Sequence, residues 1–334
     1  MKQIICSVIE KPPPDWGFWR RIVDREKYIN FDKKFPDNAY FCNSVLNDKP
    51  NFEKIEIIGR IGSPSADAEV YRIKFNDMDF AMKIMPRIDK DSERKNLNEI
   101  KTAIEASEYQ EYFPITFAYG YCPNSSYYVS ANNEFSAFIP KAIEYSAISK
   151  LLNMTNGKNT KKRLEYDIRN GKHIEELEKI KKEENGIQVD FLISELANGD
   201  LGNWTTREHT IDEWISILND IFTGIYYLTG ILHKVHPDLH FGNILIIRKE
   251  GGVKALIHDF GRSYPINKNV PETVKATILS FCSEFISCSS RNDLIIPRKI
   301  LLIIQDIHKI IKDKEINLEN LQNIYENIIF PIIS

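Results

Sequence analysis

Three oxygen-bearing side chains in the later part of the chain have the types and spacing for phosphoryl chemistry. Asp238 and Asn243 lie five positions apart in His236-Pro-Asp-Leu-His-Phe-Gly-Asn243, a polar stretch that runs into the apolar Ile244–Ile247. After a turn at Gly251-Gly252, a second apolar run, Ala255-Leu-Ile, ends at His258-Asp259-Phe260-Gly261. Phosphoryl transfer needs one carboxylate to orient the attacking hydroxyl and two oxygen ligands to hold Mg²⁺ on the phosphates. Loop ends on either side of one short hairpin can fix three such groups close together.

Those loop ends need a scaffold. Ile211, Trp214, Ile215, Leu218, Ile221, Phe222, Ile225 and Leu228 recur at helical spacing, which predicts an amphipathic helix over 211–229 closed by Gly230. Upstream, 52–85 reads as strands: 55–62 leads into a turn with Gly59 and Gly62, 68–75 alternates, and 80–85 carries Lys83. Next, 92–104 has apolar positions at helical spacing, with Asp91 or Ser92 as N-cap, and includes Glu99. Glu105 reads as a surface residue of an i,i+4 pair. Further strands are predicted at 113–121 and 189–194, the latter running into Glu195-Leu-Ala197-Asn-Gly-Asp200. Helices are predicted at 274–286, 298–311 and 318–329.

His-x-Asp-Leu-x-x-x-Asn, followed across a hairpin by Asp-Phe-Gly, resembles the catalytic loop and Asp-Phe-Gly segment of the protein-kinase family. The resemblance covers roughly 52–122 and 189–293. It implies an α+β, bilobal protein-kinase-like fold: a small antiparallel-sheet lobe with one helix, a hinge, and a reduced, mainly helical lobe. The implied domains are an N-terminal extension (1–50), an N-lobe (51–196) holding a long insertion (about 123–188), and a shortened C-lobe (197–334). It further implies that Asp238 orients the acceptor hydroxyl, that Lys83 holds the phosphates of ATP, and that Asn243 and Asp259 bind Mg²⁺. Gly59 and Gly62 would let the backbone approach the phosphates, and Val70 and Ala81 would sandwich the adenine. Glu99 would pair with Lys83, while Glu195 and Ala197 would lie where adenine meets the backbone. Asp200 would contact ribose or cap the next helix. His236 matches the family's packing histidine, and Asp293 either braces the catalytic loop as a buried Asp or caps a helix.

The chain also departs from the family. Ala68 stands where a third glycine would fall, Pro237 replaces an Arg that pairs with a phosphorylated activation loop, and His240 stands where Ser/Thr kinases usually carry a Lys. There is no Ala-Pro-Glu. Arg262 is the residue able to substitute for the missing Arg. Ser263, Thr273, Thr277, Ser280 and Ser283 are open to phosphorylation, which activity is not expected to require. Asp-Leu-His-x-Gly-Asn-Ile-Leu is also the style of aminoglycoside and choline phosphotransferases, and of divergent kinases of large DNA viruses. The Phe-Gly after Asp259 favours the protein kinases. The implied activity is transfer of the γ-phosphoryl of ATP to Ser/Thr hydroxyls of a protein substrate. The alternatives are a small-molecule kinase, favoured by His240 and the missing Ala-Pro-Glu, and a pseudokinase scaffold, favoured by the degraded glycine loop.

Composition sets outer bounds. With 334 residues, 43% hydrophobic and 27% charged, the chain can bury a large core. A net charge of −3 argues against nucleic acid as the main partner. Five scattered cysteines without Cys-x-x-Cys spacing read as free thiols in a reducing compartment, giving a cytoplasmic expectation (host cytoplasm or virion if viral). No apolar run reaches membrane-spanning length. The aromatic cluster Trp16, Phe18, Trp19 and the Lys/Glu-dense 156–185 read as a packed extension and a solvated helix or arm, or else as docking segments for a partner.

Overall fold

Alternation of large apolar with polar or small residues builds the first sheet. Strands β1 (Glu56–Ile61), β2 (Glu69–Phe75) and β3 (Met78–Pro86) are antiparallel neighbours. Asn76 and Asp77 take φ of 49° and 60°, the two left-handed residues of a tight hairpin turn, where Asn and Asp are favoured. The register pairs Tyr71 with Met82 and Ile73 with Phe80, all fully buried. Val70 opposite Lys83, and Arg72 opposite Ala81, therefore share the other face. The structure, a computed structural model, describes residues 56–61, 68–122, 147–148, 150–152, 154, 161–183, 188–249, 252–266, 272–291 and 293–333. The expected extension 1–50, Gly62 and most of the first half of the insertion lie outside the described residues.

Helix α1 (Lys90–Ala106) begins ahead of the expected caps. Asp89 is the capping residue, its carboxylate accepting from the Ser92 amide at 2.8 Å while the Ser92 hydroxyl accepts from the Asp89 amide. Asn96 is buried and donates to the Met85 carbonyl and to Asp190, each at 3.0 Å, and Asp190 also takes a two-pronged bond from Arg87. Strand β4 (Thr116–Cys122) starts three residues later than the pattern suggests, because Pro114 has no N–H to give a ladder. Lys/Glu-dense residues form α2 (Lys161–Arg169) and α3 (Ile174–Glu183). Each buries an apolar position, Leu164 and Leu177, against Ala147, Ile148 and Leu151, so this stretch is a packed helix pair with a solvated outer face. Strand β5 (Val189–Glu195) completes a five-stranded sheet in the order β1-β2-β3-β5-β4.

The remaining chain is mainly helical. After β6 (Gly199–Asp200) and the single turn α4 (Leu201–Trp204) comes α5 (Ile211–Tyr226), opened by a reciprocal capping box between Thr210 and Glu213. Gly230 does not close this helix. It lies within a π-helical turn, Tyr227–Ile231, where a Cβ would come 3.2 Å from Leu321, so close packing explains the glycine. Short β7 (Lys234–Val235) leads to β8 (Ile244–Lys249) and β9 (Gly252–Ile257), which with β6 form a three-stranded sheet in the order β6-β8-β9. The two-residue β10 (Tyr264–Pro265) pairs with β7. Helices α6 (Glu272–Cys288), α7 (Arg298–Asp313), α8 (Leu321–Ile324) and α9 (Phe330–Ile333) follow. The core of this part joins Trp214 and Phe222 of α5 to Phe285 and Phe281 of α6, edge to face at 5.8 and 5.6 Å. Burying each such side chain contributes roughly 1.5–3 kcal/mol.

The fold is α+β. The described residues divide into two compact units, one taking Asn98–Thr116 and the chain from Glu195, the other the chain up to Leu97 and Phe117–Ser194. Among the described residues no helix is long and apolar enough to cross a membrane. Cys282 is free and buried, as expected, but Cys288 is disulfide-bonded. Linear spacing carries no information on which distant cysteines the fold brings together.

Candidate functional site

The segment between β7 and β10 is held by bonds to its own backbone and to α6. His236 is fully buried. Its amide donates to the Thr277 hydroxyl at 2.9 Å, and its Nε2 donates to the His258 carbonyl at 3.0 Å. A carbonyl can only accept, so Nε2 carries the proton; burial lowers the pKa, with the charges of Asp259 and Asp238 opposing, and the ring is neutral. The packing role expected of His236 is what these bonds describe. Ser280, one turn along α6, donates to the Pro237 carbonyl at 3.1 Å.

Asn243 then ties both halves of the site together. Its Nδ2 donates to the Asp238 carbonyl at 2.8 Å, and its own carbonyl accepts from the His258 amide at 3.1 Å. His258 also bonds through Nε2 to the Gly242 carbonyl at 3.0 Å. Asp259 is thus the next residue after one bonded twice to the Asn243 loop. Its backbone is left-handed, φ 64° and ψ 69°, a conformation Asp tolerates better than most residues. Asp238, Asn243 and Asp259, three expected site residues, are brought onto one hydrogen-bonded frame. With Nδ2 committed to Asp238, Oδ1 is the remaining polar atom of the Asn243 amide.

His240 does not replace the missing lysine as a cation. Its Nδ1 accepts from the Gly242 amide at 3.1 Å, and burial lowers its pKa against the opposing charges of Asp238 and Asp259. The cation beside Asp238 is Arg262, with Nη1 3.3 Å from Oδ2. Glu284 on α6 is a buried carboxyl pushed up to about 7 by burial and by the charge of Asp238, with Arg291 opposing.

The other expected residues are placed as follows. Val70, Ala81 and Lys83 share one face of the β2–β3 hairpin, Val70 directly across from Lys83 and Ala81 diagonal to Val70. Gly59 lies at a bulge in β1, and a Cβ there would meet nothing within 4 Å among the described residues. Glu99 is buried in α1; Lys83 and Glu99 fall in different compact units. Glu105 pairs with Lys101 at 4.0 Å, the i,i+4 partner foreseen, and with Lys234 at 3.4 Å. Glu195 ends β5, its amide donating to the Ile115 carbonyl and its carboxylate accepting from the Ile115 amide, both at 3.0 Å. Ala197 is buried against Ile247 and Leu256. Asp200 caps α4 through Asn203 at 2.8 and 3.1 Å, and burial pushes its carboxyl up to about 6.

Asp293 is neither of the things expected. It is exposed and paired with Arg291 at 2.6 Å, four residues short of the α7 N-cap at Pro297. Thr277 and Ser280 brace the segment that carries Asp238 instead. Thr277 is fully buried with its hydroxyl taken by His236, so it is a bracing residue and not an open phosphorylation site. Asn98 was also missed: its Nδ2 donates to the carbonyls of Phe260 at 2.9 Å and Ser263 at 2.7 Å, clamping the turn after Asp259. A mid-helix Asn, poor in helix propensity, is the faint signal it offered.

Two expected results follow from this bonding. Thr277→Val should leave the buried His236 amide without an acceptor and cost about 1–3 kcal/mol in denaturant unfolding, while Thr277→Ser stays near the parent. Equal stability of the valine variant would show that the bond braces nothing. A histidine with lowered pKa takes up its proton more readily unfolded, so its stability contribution is complete above the ordinary value of 6.5 and lost as pH falls through and below it. His236→Gln, which keeps a donor at the Nε2 position, should therefore flatten the fall of unfolding free energy between pH 6.5 and 5 by up to about one proton. An unchanged slope would show that His236 does not titrate in that window.

Among the described residues, no group of three or more His, Cys, Asp or Glu side chains is placed to hold a metal ion. The candidate donor set is one carboxylate, Asp259, and one amide oxygen, that of Asn243. So sparse a set suits Mg²⁺ arriving on phosphates, which keeps few protein ligands. No protein-family model matches this chain, and no curated protein matches it.

Proposed function

We propose that this chain is a phosphotransferase with a bilobal protein-kinase-like arrangement, moving the γ-phosphoryl of ATP to Ser/Thr hydroxyls of a protein in a reaction that depends on Mg²⁺. The observation that carries the reading is the frame joining the Asp238 carbonyl, the Asn243 amide and the His258-Asp259 backbone. It ties residue 238 directly to Asn243, and residue 259 through its neighbour His258. Mg²⁺, when bound, neutralises charge on the phosphates. Asp259 and the Oδ1 of Asn243 would hold that ion. Asp238 orients the acceptor hydroxyl and takes its proton, and the guanidinium of Arg262 steadies the carboxylate. Lys83 would hold the phosphates. Val70 and Ala81 offer the apolar side of the hairpin face to the adenine, while Glu195 and Ala197 offer backbone groups. Arg262 already meets Asp238 without an added phosphate, which supports activity in the unmodified protein.

Gly59→Ala separates this role from folding. Among the described residues the added methyl meets no atom within 4 Å, so stability should hold or rise by about 0.4–1 kcal/mol. The KM for ATP should rise several-fold, because the methyl enters the space left for phosphates. Unchanged ATP binding would reduce Gly59 to a bulge residue. The reaction itself is tested by offering labelled ATP with a casein-type protein, a serine/threonine peptide library and a panel of small alcohols. Label in protein Ser/Thr is expected; label confined to small alcohols would assign a small-molecule kinase, and none anywhere a scaffold.

A further inference from the structure

We infer that the acceptor site selects hydroxyls flanked by acidic side chains, and that Arg262 is the residue that reads them. The inference rests on the proposed transfer reaction and names its substrate class. Arg262 does not sit on a free loop. The Asn98 amide bonds the carbonyls of Phe260 and Ser263 on either side of it, the Ser263 amide bonds back to Phe260 at 2.9 Å, and β10 pairs with β7 immediately after. The Ile266 amide closes the segment on the His233 carbonyl at 2.8 Å.

The guanidinium is therefore delivered to one place, beside Asp238. Nη1 lies 3.3 Å from Oδ2, and the side chain is still 57% exposed against 39% for Asp238. A guanidinium has five N–H donors in a rigid fork, and with more than half of this side chain exposed, donors remain open to solvent beside the Asp238 carboxylate. So exposed a pair adds little to folding stability, which leaves the clamping of Arg262 unexplained by stability alone. Among the described residues beside it, Pro237 has no side-chain donor, the His240 Nδ1 accepts from the Gly242 amide, and Lys234 is paired with Glu105. An anion bound on the outer edge of the fork lies roughly one or two residues from the acceptor, since an extended peptide advances about 3.3 Å per residue. A carboxylate there gains a charge-assisted bond that a neutral side chain cannot make.

The test uses the full chain and three fluorescent serine peptides differing only in the flanking residues: Glu, Gln or Lys. Anisotropy titrations compare the parent with Arg262→Gln, Arg262→Lys and Arg262→Glu, each checked for folding by circular dichroism. The parent should bind the Glu peptide about tenfold more tightly than the Gln peptide. Arg262→Gln should erase that difference, Arg262→Lys should keep part of it, and Arg262→Glu should turn the preference toward the Lys peptide. Should Arg262→Gln fail to fold, the Lys and Glu variants carry the same comparison. Equal binding of Glu and Gln peptides by the parent, or an undiminished preference without the guanidinium, would overturn the inference. Binding does not require turnover, so the two claims separate: Glu preference without any transfer sinks the reaction but not the acidic docking, and transfer without Glu preference sinks the docking alone.

Discussion

Asp238→Asn should lower the rate of phosphoryl transfer by about 10²–10⁴-fold while ATP affinity stays close to that of the parent. The substitution keeps the shape of the side chain and leaves the Asp238 carbonyl free to accept from Asn243 as before. What it removes is the charge proposed to orient the acceptor hydroxyl and receive its proton. The ion pair with Arg262 is also lost, but both partners are well exposed, and such pairs contribute little to stability. Single-turnover transfer and the thermal shift induced by Mg·ATP measure the two halves of this expectation separately. A variant that keeps a tenth of the parent's rate would remove Asp238 from the catalytic role.

Asp259→Asn should leave the fold intact and abolish Mg²⁺-dependent nucleotide binding. Asparagine is the choice because position 259 has φ of 64°, where an alanine would cost roughly 1–2 kcal/mol and blur the comparison. Asn occupies that region readily and keeps the size of the side chain, so only the charge proposed to hold the metal is lost. At about one hundred times the dissociation constant, a ligand stabilises the folded state by about 2.7 kcal/mol, which the parent should show with Mg·ATP and the variant should not. Equal thermal shifts in both proteins would place the metal elsewhere.

The bonded frame of the candidate site was legible because its information is local. Asp238, Asn243 and Asp259 are arranged by a loop and one hairpin, and alternation in β2 and β3 was enough to put Val70 and Lys83 on a shared face. What braces that segment was not legible. The bonds from Thr277 to His236, Ser280 to Pro237 and Asn98 to Phe260 span 41, 43 and 162 residues, and no local period encodes pairings of that reach. Asp293 misled for the same reason: its neighbour Arg291 satisfies it two residues away, and sequence alone could not weigh that against a distant partner. The start of α2 was hidden by composition. Leu164 and Ile168 are its only aliphatic positions, too few to reveal an apolar stripe until Ala147, Ile148 and Leu151 are seen against it.

The role of Arg262 was half visible. Its position after Asp259-Phe-Gly marked it as a substitute for the arginine missing at Pro237. That its target would be Asp238 itself depended on the turn at 260–262, which Asn98 sets from elsewhere in the chain.

The most direct measurement gives the phosphatase-treated protein ATP labelled at either the γ- or the α-phosphate, with a casein-type acceptor, and with Mg²⁺ or with a chelator. Label from γ-labelled ATP should appear on serine and threonine of the acceptor from the first turnovers, only with Mg²⁺, and none should transfer from α-labelled ATP. Transfer of the α-label, or γ-transfer that survives the chelator or Asp238→Asn, would contradict the assignment of Asp238, Asn243 and Asp259 to phosphoryl transfer.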